Sequence, residues 1–90
     1  MKNPSDRLNP RRQLYADRLL DYLAWNGRKV FLTPDRYRNV CDETKLSRFA
    51  IDQAADDCFE LGWINIAMAG EIQVLTLLLT KTKFGNGGRK

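Results

Sequence analysis

The chain predicts a single α+β domain whose elements run helix, strand, helix, helix, strand, strand. Three observations carry this expectation. Two stretches open on a capping residue followed by proline, Asn9-Pro10 and Thr33-Pro34. Proline suits the first position of a helix because its missing N–H costs nothing there. Two other stretches space their apolar residues for one face of a helix: Ala16, Leu19, Leu20, Leu23, and later Ile51, Ala54, Ala55, Cys58. Beyond Gly62 the pattern changes to alternation and then to a run rich in Val, Leu, Ile and Thr, which is the signature of strands.

Taken in order, the first helix follows Pro10 through RRQLYADRLLDYLAW, with Tyr15 and Tyr22 flanking its apolar stripe. Asn26-Gly27 stops it, and Gly27 suits a left-handed residue just past the end. Lys29 to Thr33 (KVFLT) is a short strand. The second helix starts at Thr33-Pro34 and turns Tyr37, Val40 and Cys41 inward, with Asp42-Glu43-Thr44 expected as a polar turn. Ser47 is placed to cap the third helix through its hydroxyl, and Gly62 ends that helix. Trp63 to Ile66 alternates, Ala69-Gly70-Glu71 turns, and Ile72 to Thr80 is the last strand. Its second half (Leu77, Leu78, Leu79) is apolar on both faces, so burial against the first helix or a second subunit is expected. The domain is thus placed at 10–80. Residues 1–9 are expected to be a mobile arm, and 81–90 (KTKFGNGGRK) a disordered basic, Gly-rich tail.

The most specific segment is LSRFAIDQAADDCFELGWI, residues 46–64. Leu46, Ser47, Arg48, Ile51, Ala54, Cys58, Gly62 and Ile64 fall on a pattern of the winged-helix-turn-helix superfamily: Leu-Ser-Arg, an aliphatic residue, Ala, an apolar residue, then Gly-aliphatic-Ile, with Trp63 standing at the aliphatic position. The chain resembles most the bacterial and archaeal regulator branch that includes the MarR-like proteins, over about residues 14–80. Two features depart from that pattern. Lys45 stands where the turn usually has a left-handed glycine, and Thr33-Pro34 lies about one helical turn further upstream than usual. The resemblance implies a single winged-helix domain that binds double-stranded DNA as a dimer, acting as a small transcriptional regulator or architectural factor.

Composition bounds the chemistry. Ninety residues with 43% hydrophobic and 29% charged side chains make one globular domain able to fold without metal or disulfide. There is no histidine, so neither a Ser–His nor a Cys–His pair can be built. Cys41 and Cys58 lie far apart with no CxxC, and a zinc site needs two more soft ligands than the chain has. They are expected to be reduced, buried thiols. The glycines at 85, 87 and 88 follow no strand-loop pattern of a phosphate cradle. No cofactor and no enzymatic activity are expected. The opening MKNPSDRLNPRRQ lacks an apolar leader core, and the apolar run VLTLLL is too short to span a bilayer. A cytoplasmic binding module, without membrane contact, is the expectation.

The third helix makes the partner a question. Stepping 100° per residue places Ile51, Ala54, Ala55 and Cys58 on one stripe, with Leu61 at its edge. Phe49, Asp52, Gln53, Asp56 and Glu60 fall on the opposite face, with Asp57 on its shoulder. From Arg48 to Leu61 the net charge is −3, and a carboxylate about 4 Å from a phosphate costs about 1 to 4 kcal/mol, depending on local dielectric. The whole chain is +4, divided as +5 over 1–40, −4 over 41–62 and +3 over 63–90. The wing turn AMAGE has no basic residue, and positive charge lies also in Arg7, Arg28-Lys29, Lys81, Lys83, Arg89 and Lys90. Two functions follow. For DNA binding, Arg11, Arg12, Arg36, Arg38 and Lys45 would contact phosphates, and Ser47, Arg48 and Gln53 the bases. For protein–protein contact, Phe49 with Asp52, Asp56 and Glu60 would meet a basic partner. Phe49 has two other outlets, a thymine methyl or folding back onto the Lys29–Thr33 strand.

Overall fold

The computed structural model describes residues 9–78. They form α1 (Pro10–Trp25), β1 (Lys29–Phe31), α2 (Pro34–Thr44), α3 (Arg48–Glu60), β2 (Ile64–Ala69) and β3 (Ile72–Leu77). The sheet is antiparallel in the order β1-β3-β2. This is the expected α+β, winged-helix-like order. Of the arm expected at 1–9, residues 1–8 lie outside the described residues, as do Leu79, Thr80 and the tail expected at 81–90, whereas Asn9 is described as the cap of α1.

Each helix begins where its cap dictates. The Asn9 side chain accepts from Arg12 N at 2.8 Å, Thr33 Oγ1 from Arg36 N at 3.2 Å, and Ser47 Oγ from Ala50 N at 3.1 Å. Each bond satisfies a donor that the first turn leaves without a helical partner. α2 outlasts its expectation: Asp42, Glu43 and Thr44 are helical rather than a turn. Thr44 is buried, its hydroxyl donates to Val40 O at 2.6 Å, and Arg18 of α1 donates to its carbonyl at 2.7 Å. Those bonds satisfy the hydroxyl and carbonyl of Thr44, the one buried residue of the three, while Asp42 and Glu43 stay exposed to water. The reversal falls on Lys45, which takes the left-handed conformation (φ 62°, ψ 33°) in the place where the resemblance has a glycine.

The strands are cut differently from the sequence expectation. β1 stops at Phe31, because Thr33 caps α2, although Leu32 N still donates to Gln73 O at 2.8 Å. β2 runs on to Ala69, and β3 ends at Leu77, beyond which Leu78 is half exposed.

The core lies between the helices and one face of the sheet. Leu19, Leu20 and Leu23 of α1, Ile51 and Cys58 of α3, Ile64 and Leu75 are almost fully buried. Ala50 and Ala54, also buried, put small side chains on the flank of α3 that packs against α1. Cys41 and Cys58 are free thiols, the second buried in this core. No helix among the described residues is long and apolar enough to cross a membrane.

Candidate interaction face of the third helix

The inner stripe of α3 is buried as the helical spacing requires, so the opposite face must point outward. Phe49 is 72% exposed, and Asp52, Asp56, Phe59 and Glu60 are exposed with it. Phe49 therefore does not fold back onto β1.

Asp57 corrects the sequence reading. It is 3% exposed rather than on the solvent shoulder. Arg12 of α1 grips it with two bonds, Nε to Oδ2 at 3.0 Å and Nη2 to Oδ1 at 2.5 Å. A paired, forked guanidinium is what a buried carboxylate needs. The hydrogen bond to Asp57, and then its charge, hold the Arg12 pKa above its ordinary value. Arg12 is thereby occupied in fastening α1 to α3, which removes it from the phosphate-contacting set. The signal was present in the sequence: at 100° per residue Asp57 lies beside buried Ala50 and Ala54, on the flank facing α1.

On the other flank, α2 and α3 meet the wing. Two adjoining depressions of ≈490 and ≈480 Å³ share Leu32, Tyr37, Arg48 and Glu71. Asp52, Asp56, Ile66 and Gln73 line one, and Arg38, Cys41 and Ile72 the other. Tyr37 organises this groove. Its hydroxyl donates to the Asp52 carboxylate, and the Arg48 guanidinium carbon stands 4.5 Å above its ring centre. Arg48 is thus laid over an aromatic face at the start of α3. Burial, and then the charge of Asp56 one turn on, raise the Asp52 pKa. Tyr37 was expected only as an inward-facing residue of α2, and Glu71 only as part of a turn. Their meeting depends on where the wing folds, which no local spacing encodes.

The other candidates scatter. Arg36 is directed back to α1, where its Nη1 donates to Tyr22 OH at 3.1 Å while that hydroxyl donates to Asn39 Oδ1 at 2.5 Å. Arg11 and Lys45 are exposed, Ser47 is spent as the α3 cap, and Gln53 is half-buried. Among the sequence-derived residues, the fold brings Arg38, Arg48, Asp52 and Asp56 to one groove. It does not bring Arg11 or Arg36 there.

Comparison with protein-family models, with curated proteins and with solved structures gave no match, so geometry and chemistry alone bear on the function.

Proposed function

We propose that this winged helix is a non-catalytic protein-interaction module that docks a basic partner against α3 and the wing groove. One observation carries the reading: Phe49, the most exposed large apolar residue described, shares its helix face with Asp52, Asp56 and Glu60. Covering a Phe is worth about 1.5–3 kcal/mol, and aromatic residues ringed by polar groups are common anchors of protein interfaces. A duplex laid on the same face meets three carboxylates, each costing about 1 kcal/mol or more beside a phosphate. The wing tip, Ala69-Gly70-Glu71, brings a fourth. The partner's cations are the natural complement of this surface. With two free thiols, the protein belongs in this reading to the reducing cytoplasm.

A second reading, duplex-DNA binding by a small regulator or architectural factor, is favoured by a different observation. Arg38 and Lys45 are exposed on α2 and at the turn, close in sequence to Arg48 and to the N-terminus of α3. Helix N-termini and such cations hold phosphates.

One experiment separates the two. Fluorescence anisotropy is followed for a lysine-rich peptide containing aliphatic residues and, in parallel, for a short mixed-sequence duplex, across a salt series. The proposal expects the peptide to bind, and binding to fall at least tenfold in both Phe49→Ala and Asp56→Lys. Duplex binding that drops steeply with salt and disappears in Arg38→Ala with Lys45→Ala would establish the second reading instead. Peptide binding indifferent to Phe49 would remove the first.

A further inference from the structure

We infer that β2 is a pairing edge for a second copy of this chain, two β2 strands joining antiparallel about a twofold axis at Ile66. The argument begins with hydrogen-bond parity. The backbone bond from Leu78 N to Trp63 O, 2.9 Å, makes 63 and 78 a hydrogen-bonded pair. In an antiparallel ladder such pairs alternate, and β2 and β3 are in register without a bulge from Ile64↔Leu77 to Ala69↔Ile72. Asn65, Ala67 and Ala69 therefore bond to β3, whereas Ile64, Ile66 and Met68 direct their N–H and C=O groups away from it. The bonds from Leu77 N to Arg28 O and from Leu32 N to Gln73 O give β1 the complementary parity, so the assignment is consistent across the sheet.

Sheet edges carrying such free groups are ordinarily guarded by charge, proline, a bulge or shortness. β1, the other edge, is guarded in two of these ways: it has three residues and begins with Lys29. β2 has none of the four, and among the described residues no strand pairs with it on that side. Its six residues, INIAMA, hold no charge and no proline, and Asn65, Ala67, Met68 and Ala69 are exposed.

Twofold symmetry is what selects a second copy as the occupant. Centred on Ile66, it sets Ile66 against Ile66 of the second copy and Ile64 against its Met68, each pair exchanging two backbone bonds. Asn65 then opposes Ala67. A strand carrying a charge meets its like near such an axis, but β2 brings none, so self-pairing meets no charge repulsion within the ladder.

The test uses the full chain in analytical ultracentrifugation over a wide concentration range, with Met68→Lys as the guarding variant. Met68 is 59% exposed and its N–H points away from β3, so the change spares the fold, which circular dichroism checks. We expect a monomer–dimer equilibrium in the natural chain, weakened at least tenfold in Met68→Lys. Register is tested by oxidation. Ile66→Cys is expected to link as a dimer, since hydrogen-bonded partners stand about 5.5 Å apart at Cα, within the span of a disulfide. Met68→Cys, which faces position 64, is expected not to, and the natural chain, retaining Cys41 and Cys58, is the control for both. A chain that stays monomeric at millimolar concentration overturns the inference. So does a dimer indifferent to Met68→Lys, or one in which Met68→Cys links and Ile66→Cys does not.

Discussion

Lys45→Gly should stabilise this protein, although it removes a side chain from a folded domain. Lys45 holds the left-handed conformation that reverses the chain between α2 and α3, and its own N–H caps α2 by donating to Cys41 O at 2.9 Å. For a residue with a Cβ that conformation costs about 1–2 kcal/mol. Glycine is free of the cost but returns about 0.4–1 kcal/mol through the greater freedom of the unfolded chain. The Lys45 side chain is exposed, so its loss removes little burial. The difference favours glycine by about 0.5–1 kcal/mol, which for a domain of this size raises Tm by about 3–6 °C. Lys45→Ala is the control, since it removes the charge while keeping the strained backbone, and it should not reproduce the gain. Thermal unfolding by circular dichroism at one pH and salt concentration reads both. If Lys45→Gly leaves Tm unchanged or lowers it, the left-handed turn is not the source of strain argued for it. If Lys45→Ala gains as much as Lys45→Gly, the effect belongs to the charge.

Three further outcomes follow from the same structure. Arg12→Met, which strands the buried Asp57 carboxylate, should destabilise more than Asp57→Asn, which leaves a half-exposed guanidinium able to rehydrate; urea unfolding of the two variants ranks them. Because the folded-state pKa of Asp52 is raised, the folded state holds its proton more tightly than the unfolded state, and this carboxylate's contribution to stability falls as pH rises through its titration. Asp52→Asn should therefore gain about 0.2–0.5 kcal/mol near neutral pH, the scale of one like-charged i,i+4 pair, and the gain should vanish below the unfolded-state pKa when tested by urea unfolding at two pH values. Burial, then Asp57 and Asp17, push the Cys58 thiol up to about 12, so at pH 8 a thiol reagent should label one cysteine, Cys41, and reach the second only in denaturant.

The fold was legible in the sequence because its signals are local. Asn9, Thr33 and Ser47 are caps wherever the rest of the chain lies, and the buried stripe of α3 is a matter of angle along one helix. The strand ends were less legible, since Thr33 serves two elements and the cap outcompetes the ladder. What failed at Asp57 was counting charges on a helix without asking which neighbour each one faces. Its partner is 45 residues away, and only the packing of α1 against α3 joins them. Tyr37 was missed in the same way: it belongs by spacing to the inner face of α2, yet its hydroxyl and ring are used by Asp52 and Arg48 of α3.

Charge placement is where the sequence reading and the structure part most sharply, and it bears on the choice of partner. Of the fifteen Lys and Arg, six lie outside residues 9–78, as does one of the eleven Asp and Glu. The described domain therefore has nine cations against ten anions, and the positive balance of the chain comes from its ends. Within the domain, Arg12 is committed to Asp57, Arg18 to Thr44 O, Arg36 to Tyr22, and Arg48 lies on Tyr37. A pI near 9.3 thus says little about the face that α3 presents, since a partner arriving there meets Phe49 and carboxylates. Long-range attraction for a polyanion, if the chain exerts it, originates in segments other than α3. Removing residues 81–90 should consequently abolish most salt-sensitive duplex affinity while leaving peptide binding to α3 intact, and retention of that affinity by the truncated chain would return the DNA contacts to the folded domain.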